Sequence, residues 1–141
     1  MSVLKRFRGE TTADFLDNAI DLAAYTLQQC KRENIIPKNR TFYGGVDIYK
    51  AAMEVVANAS RGNSIHPRDK ADARIRRNEM LGAREALEEL EVRVAIMHEE
   101  QHFPEKVVKE WSRLMEREER LLNGILQSDL ERAATLPDRV V

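Results

Sequence analysis

This sequence of 141 residues has a single cysteine, four prolines and six glycines. One thiol forbids an internal disulfide, so no covalent staple holds the fold. The scarcity of Gly and Pro argues against a turn-rich β architecture. Trp occurs once and aromatic residues make up only 6%. No apolar run approaches the roughly 20 residues needed to cross a bilayer. The first residues, Met1-Ser2-Val3-Leu4-Lys5-Arg6-Phe7-Arg8, are basic but lack the apolar stretch of a secretion signal. The expected location is therefore cytoplasmic.

What remains is rich in Ala, Leu, Glu and Arg, with one third of the residues charged, which is the composition of a helical protein of one domain. The net charge is −1, unevenly spread. Residues 1–77 carry 14 Lys+Arg against 9 Asp+Glu, a net +5, and residues 78–141 carry 9 against 15, a net −6. Such polarity suits an anionic partner on one surface and a cationic partner on another, or head-to-tail contact between copies.

Apolar spacing predicts four helices. The first starts near Thr11-Thr12 and carries the stripe Leu16, Ile20, Ala23, Leu27, Cys30, widened by Phe15, Ala19 and Leu22. It ends near Asn34, because Pro37 denies Ile36 the helical conformation. The second follows Thr41 or Gly44-Gly45, turns Tyr49, Ala52, Met53, Val56 and Ala59 inward, and stops at Arg61-Gly62-Asn63-Ser64. Pro67 opens the third, whose stripe Met80, Ala83, Leu87, Leu90, Val94, Met97 alternates steps of three and four without a break, as in coiled-coil packing. Pro104 sits at the first turn of the fourth, which buries Val108, Trp111, Leu114 or Met115, Leu121, Leu122 and Ile125. The expected fold is all-α, an up-down-up-down antiparallel four-helix bundle over residues 11–132. A basic segment, residues 1–10, precedes it and a frayed tail, residues 133–141, follows.

Several motifs invite a chemical reading. His98-Glu99-Glu100-Gln101-His102 matches the H-E-x-x-H pattern of zinc peptidases. Its variable positions are polar, Phe103-Pro104 ends the helix at once, and no third ligand follows, because His66 lies upstream in a loop. Histidines at the negative end of a helix dipole account for the pattern more simply. Glu99 and His102 also have the spacing of a di-iron carboxylate bundle, but the second such pair is absent. Cys30 lies on an apolar stripe, the place of a small buried hydrophobe. Gly44-Gly45 lacks the strand and the Lys-Ser signature of a phosphate-binding loop. Neither a catalytic centre nor a cofactor is expected. The basic residues remain: Lys38 and Arg40 at the first bend, then Arg61, Arg68, Lys70, Arg74, Arg76 and Arg77 around the second loop. Arginine grips phosphate through its planar fork, so a row of them on a helix can track a nucleic-acid backbone. Equally, they can decorate a wet face and pair with Asp69, Asp72 and Glu79.

Tyr25-Thr26-Leu27 with Cys30, the run Ile36-Pro37-Lys38-Asn39-Arg40-Thr41-Phe42, Asn63-Ser64-Ile65-His66-Pro67, Arg76-Arg77 and Trp111 together carry a likeness. Over residues 4–132 the sequence resembles the four-helix-bundle family of the accessory variability (Avd) proteins of diversity-generating retroelements, which also includes proteins encoded in intervening sequences of large-subunit ribosomal RNA. The resemblance implies a homopentameric barrel of bundles. It also implies a non-catalytic accessory role, binding an error-prone reverse transcriptase and its template RNA in support of mutagenic cDNA synthesis. By position it implies contact through Lys38, Arg40, Arg74, Arg76, Arg77 and Arg84. This chain departs from the distinctly basic members in its net charge, and contact between its acidic third and fourth helices and a basic polymerase would fit that charge. The second expectation is an oligomeric interaction module with another protein partner and no nucleic acid.

Overall fold

The computed structural model describes residues 13–40 and 44–139. The basic segment 1–10, the start expected at Thr11-Thr12, and Thr41 and Phe42 lie outside the described residues. Among those described the chain is all-α. Its long helices are α1 (Asp14–Cys30), α2 (Val46–Ser64), α3 (Lys70–Gln101) and α4 (Glu105–Ala133), with a single helical turn at Lys38–Arg40. Helix α2 packs against α1 and α3, and α4 against α1 and α3, so the four enclose one core.

Local chemistry sets the helix ends. Asp69 caps α3, its carboxylate accepting from the Asp72 amide at 2.8 Å, which satisfies one of the orphan donors of the first turn. The far end of α3 closes at His102, which takes the left-handed conformation (φ 53°) and donates its amide to the His98 carbonyl at 2.8 Å. Gly44 lies so close to the Met97 side chain that a Cβ there would collide with it. Glycine at this position lets the entry to α2 approach α3.

The α3 stripe is buried as the spacing predicts: Met80, Ala83, Leu87, Leu90, Val94 and Met97 all face the core. On α1 the buried face is instead Phe15, Asn18, Ala19, Leu22, Ala23, Thr26 and Gln29, leaving Leu16, Ile20, Leu27 and Cys30 half-buried on one flank. On α2 the core residues are Ile48, Ala51, Ala52, Val55, Ala59 and Gly62, so the expected Met53 is turned outward and Tyr49 and Val56 are half-buried. On α4 they are Val107, Trp111, Leu114, Met115, Glu118, Leu122 and Leu126, with Val108, Leu121 and Ile125 partly covered.

The displacement on α1 has a physical cause, a polar inlay shared with α4. Asn18 donates its amide to the Leu114 carbonyl (3.0 Å) and to Glu118 Oε1 (3.1 Å). The Trp111 indole donates to Thr26 Oγ1 (3.0 Å), whose own hydroxyl donates to the Leu22 carbonyl (2.7 Å). These hydrogen bonds offset the cost of burying the groups. Trp111 is wholly buried, packed against Tyr25 (ring centroids 6.1 Å, edge-on) and Phe103 (5.5 Å).

Beyond α4, residues 134–139 fold back onto the start of α3. The Lys70 amide donates to the Pro137 carbonyl at 2.9 Å, and Lys70 Nζ lies 3.3 Å from Asp138.

Candidate nucleic-acid interface

The nine basic positions do not form one patch. Lys38 and Arg40 stand at the end of the molecule where α3 finishes: Lys38 pairs with Glu33 (3.2 Å) and Arg40 approaches Glu100 (3.9 Å). Arg61, Arg68, Lys70, Arg74, Arg76 and Arg77 gather where α2 ends and α3 begins. At 1.5 Å per residue, the 26 residues of α3 between Arg74 and Glu100 separate the two groups by about 40 Å. Arg84 stands between them, half-buried, and donates to Asn123 of α4 at 3.3 Å.

Within the larger group the charges meet different fates. Arg61 pairs with Glu79 (3.0 Å), Arg68 with Asp72 (3.3 Å) and Lys70 with Asp138 (3.3 Å), all on exposed cations whose pairing is weak in water. Arg74 and Arg77 take part in no ion pair among the described residues. Arg76 is different in kind. Its side chain is 10% exposed; Nε donates to Asp129 at 2.7 Å, and Nη1 donates to the Gly62 and Ile65 carbonyls at 3.1 and 3.0 Å. Arg76 therefore ties the end of α2 to α3 and α4 from inside, and the charge presented outward comes from its neighbours.

That internal tie is the floor of a pocket of about 480 Å³. Asn63 at the end of α2, with His66 and Pro67 of the α2–α3 connection, forms one side, Arg132 and Ala133 the other, and Thr135 and Leu136 of the folded-back tail close the third. The pocket lies among the predicted cations, but sequence reading misses it. The only available signal was Pro137, four residues beyond the last helical position, which stops the helix and turns the chain.

A second electrostatic feature lies along α3 and α4. Glu91 has its pKa raised, chiefly by burial and then by repulsion from Glu119, Glu88 and Glu116. Four carboxylates from two helices thus share one seam.

The remaining motifs resolve into structural roles. His98 Nδ1 accepts the Phe103 amide at 2.9 Å, so the first histidine of the H-E-x-x-H run terminates the helix. Among the described residues no group of three His, Cys, Asp or Glu side chains is placed to hold a metal ion. The Cys30 thiol is pushed up to about 11 by burial and donates to the Gly45 carbonyl at 3.5 Å. At neutral pH it is a thiol, the unreactive form. No helix among the described residues is long and apolar enough to cross a membrane. Comparison with family models, with curated proteins and with solved structures finds no significant match to this chain.

Proposed function

We propose that this protein is a non-catalytic accessory factor of a diversity-generating retroelement, holding a reverse transcriptase and its template RNA together during mutagenic cDNA synthesis. The observation that carries the reading is the division of charge on one rigid helical body. Arg74, Arg77 and their neighbours form a cationic end suited to RNA phosphates, while Glu88, Glu91, Glu116 and Glu119 form an anionic seam suited to a basic polymerase surface. The resemblance of the Ile36–Phe42, Asn63–Pro67 and Arg76-Arg77 runs to Avd-type proteins supports the same role. The helices run up-down-up-down in this proposal. The pairings of Asp47 with Arg93, Arg61 with Glu79 and Arg76 with Asp129, which set opposite ends of adjoining helices together, support that order, as do Asn18 with Glu118 and Tyr25 with Val107, which run in opposite sense along α1 and α4. Exposed apolar side chains, Met53, Ile75, Val92, Ile96 and Leu130, support burial in a homo-oligomer, a pentameric barrel in the Avd manner.

A second reading, an oligomeric interaction module with a protein partner and no nucleic acid, is favoured by the acids that neutralise Arg61, Arg68 and Lys70. One experiment separates the two: a tagged pull-down from the native host at low and moderate salt, identifying both proteins and RNA. Co-purification of a reverse transcriptase with a defined RNA, the RNA lost as salt rises, supports the accessory role. A folded oligomer that brings down neither refutes it.

A further inference from the structure

The pocket at the basic end has a composition that its cationic surroundings do not require. A site for phosphate alone needs only donors, whereas this one adds the apolar side chains of Pro67, Ala73, Ala133 and Leu136 to the polar groups of Asn63, His66, Arg132 and Thr135. Ligand pockets that combine apolar side chains with placed polar groups typically enclose a few hundred Å³. In its floor, Arg76 Nε and Nη1 are committed to Asp129 and to the Gly62 and Ile65 carbonyls. That commitment keeps the floor rigid. The Asn63 amide makes no side-chain hydrogen bond among the described residues and can offer a donor and an acceptor to one base edge.

We propose that this pocket receives an unpaired nucleobase of single-stranded RNA, an assignment that rests on the RNA-binding reading above. The apolar side chains of Pro67, Ala73, Ala133 and Leu136 match the face of a base, and the amide of Asn63 matches its edge. The cations outside the slot, Arg74 and Arg77 on α3, meet the phosphates on either side. Those cations extend beyond the slot, so the ligand is a strand rather than a free nucleotide. A base stacked and paired in a duplex cannot enter, and the site therefore discriminates by strandedness. The tail supplies a wall through Leu136, held in place by the Lys70 amide on the Pro137 carbonyl.

The test is fluorescence anisotropy on the full chain with a labelled single-stranded 12-mer RNA and with the same RNA as a blunt duplex, at matched salt. Wild type binds the single strand about tenfold more tightly than the duplex, in keeping with stacking of one base. Ala133→Trp, which fills the slot, and Asn63→Ala, which perturbs the fold less, both reduce single-strand affinity toward the duplex value and leave duplex affinity unchanged. Arg74→Glu with Arg77→Glu weakens both forms together. If wild type binds both forms, and both pocket variants are folded by circular dichroism yet keep the wild-type ratio, the pocket assignment is overturned while RNA binding stands. If wild type binds neither form, the RNA reading itself falls and the pocket assignment with it.

Discussion

Glu118 gives the sharpest stability prediction. Its side chain is wholly buried, Oε1 accepts one hydrogen bond from Asn18, and Oε2 has no partner. Burial pushes its carboxyl from an ordinary value of 4.5 up to about 8, against the opposing pulls of the Asn18 hydrogen bond and the Arg117 charge. Between pH 4.5 and pH 8 the folded protein keeps a proton that the unfolded chain has released. The associated stability is full below pH 4.5, falls as pH rises, and is lost above pH 8. At about 1.4 kcal/mol per unit, the whole shift corresponds to about 5 kcal/mol and the part already lost at pH 7 to about 3 kcal/mol. Either figure is a large share of the stability of a small domain. Glu118→Gln removes the titration and keeps an oxygen for Asn18. Urea unfolding of both proteins from pH 5 to pH 8.5 should give a stability difference that moves in favour of the Gln variant by about 1.4 kcal/mol per pH unit up to about pH 8, then levels. A difference flat across that range would mean that Glu118 is ionised in the folded state, and would refute the argument.

Three further outcomes follow from the packing. Asp129→Ala strands the Arg76 guanidinium with carbonyl partners only and should cost about 3 kcal/mol in urea melts, whereas the double replacement Arg76→Met with Asp129→Leu should recover most of that loss; equal losses in both would deny the ion pair its structural role. Gly124→Ala, on an exposed stretch of α4 where an added Cβ meets nothing within 4 Å, should raise stability by about 1 kcal/mol through helix propensity, and a lowered thermal midpoint would contradict the packing. Elemental analysis of the natively purified protein should return no stoichiometric zinc, since His98 Nδ1 already accepts the Phe103 amide; one equivalent per chain would overturn the capping account.

How far the fold can be read in the sequence depended on what filled each core. On α3 the core is apolar throughout, so counting apolar residues finds the buried face directly. On α1 the buried positions include Asn18, Thr26 and Gln29, which an apolar template treats as surface, and the expected stripe therefore slid onto the flank at Leu16, Ile20 and Leu27. Small residues had the same effect on α2, where Ala51, Ala52 and Ala59 line the core while the bulkier Met53 faces out. The basic residues were identifiable by type, but their grouping was not. Nothing local reveals that Arg40 and Arg74 stand at opposite ends of a long helix, or that Arg76 turns inward while Arg77, its neighbour, does not. The pocket was least legible of all, because its third wall comes from Thr135 and Leu136, more than sixty residues from Asn63.

The polar inlay between α1 and α4 also decides which alignments of the two helices are forbidden. Sliding α1 by one turn, about 5.4 Å, would part Asn18 from Glu118 and leave that buried carboxyl without its one hydrogen-bond donor. The same slip would part Thr26 from the Trp111 indole. An all-leucine seam would tolerate that movement at little cost, trading a single alignment for several of nearly equal energy. Asn18 and Thr26 thus act as index marks, fixing where the two ends of the molecule fall and, through α4, where Asp129 meets Arg76.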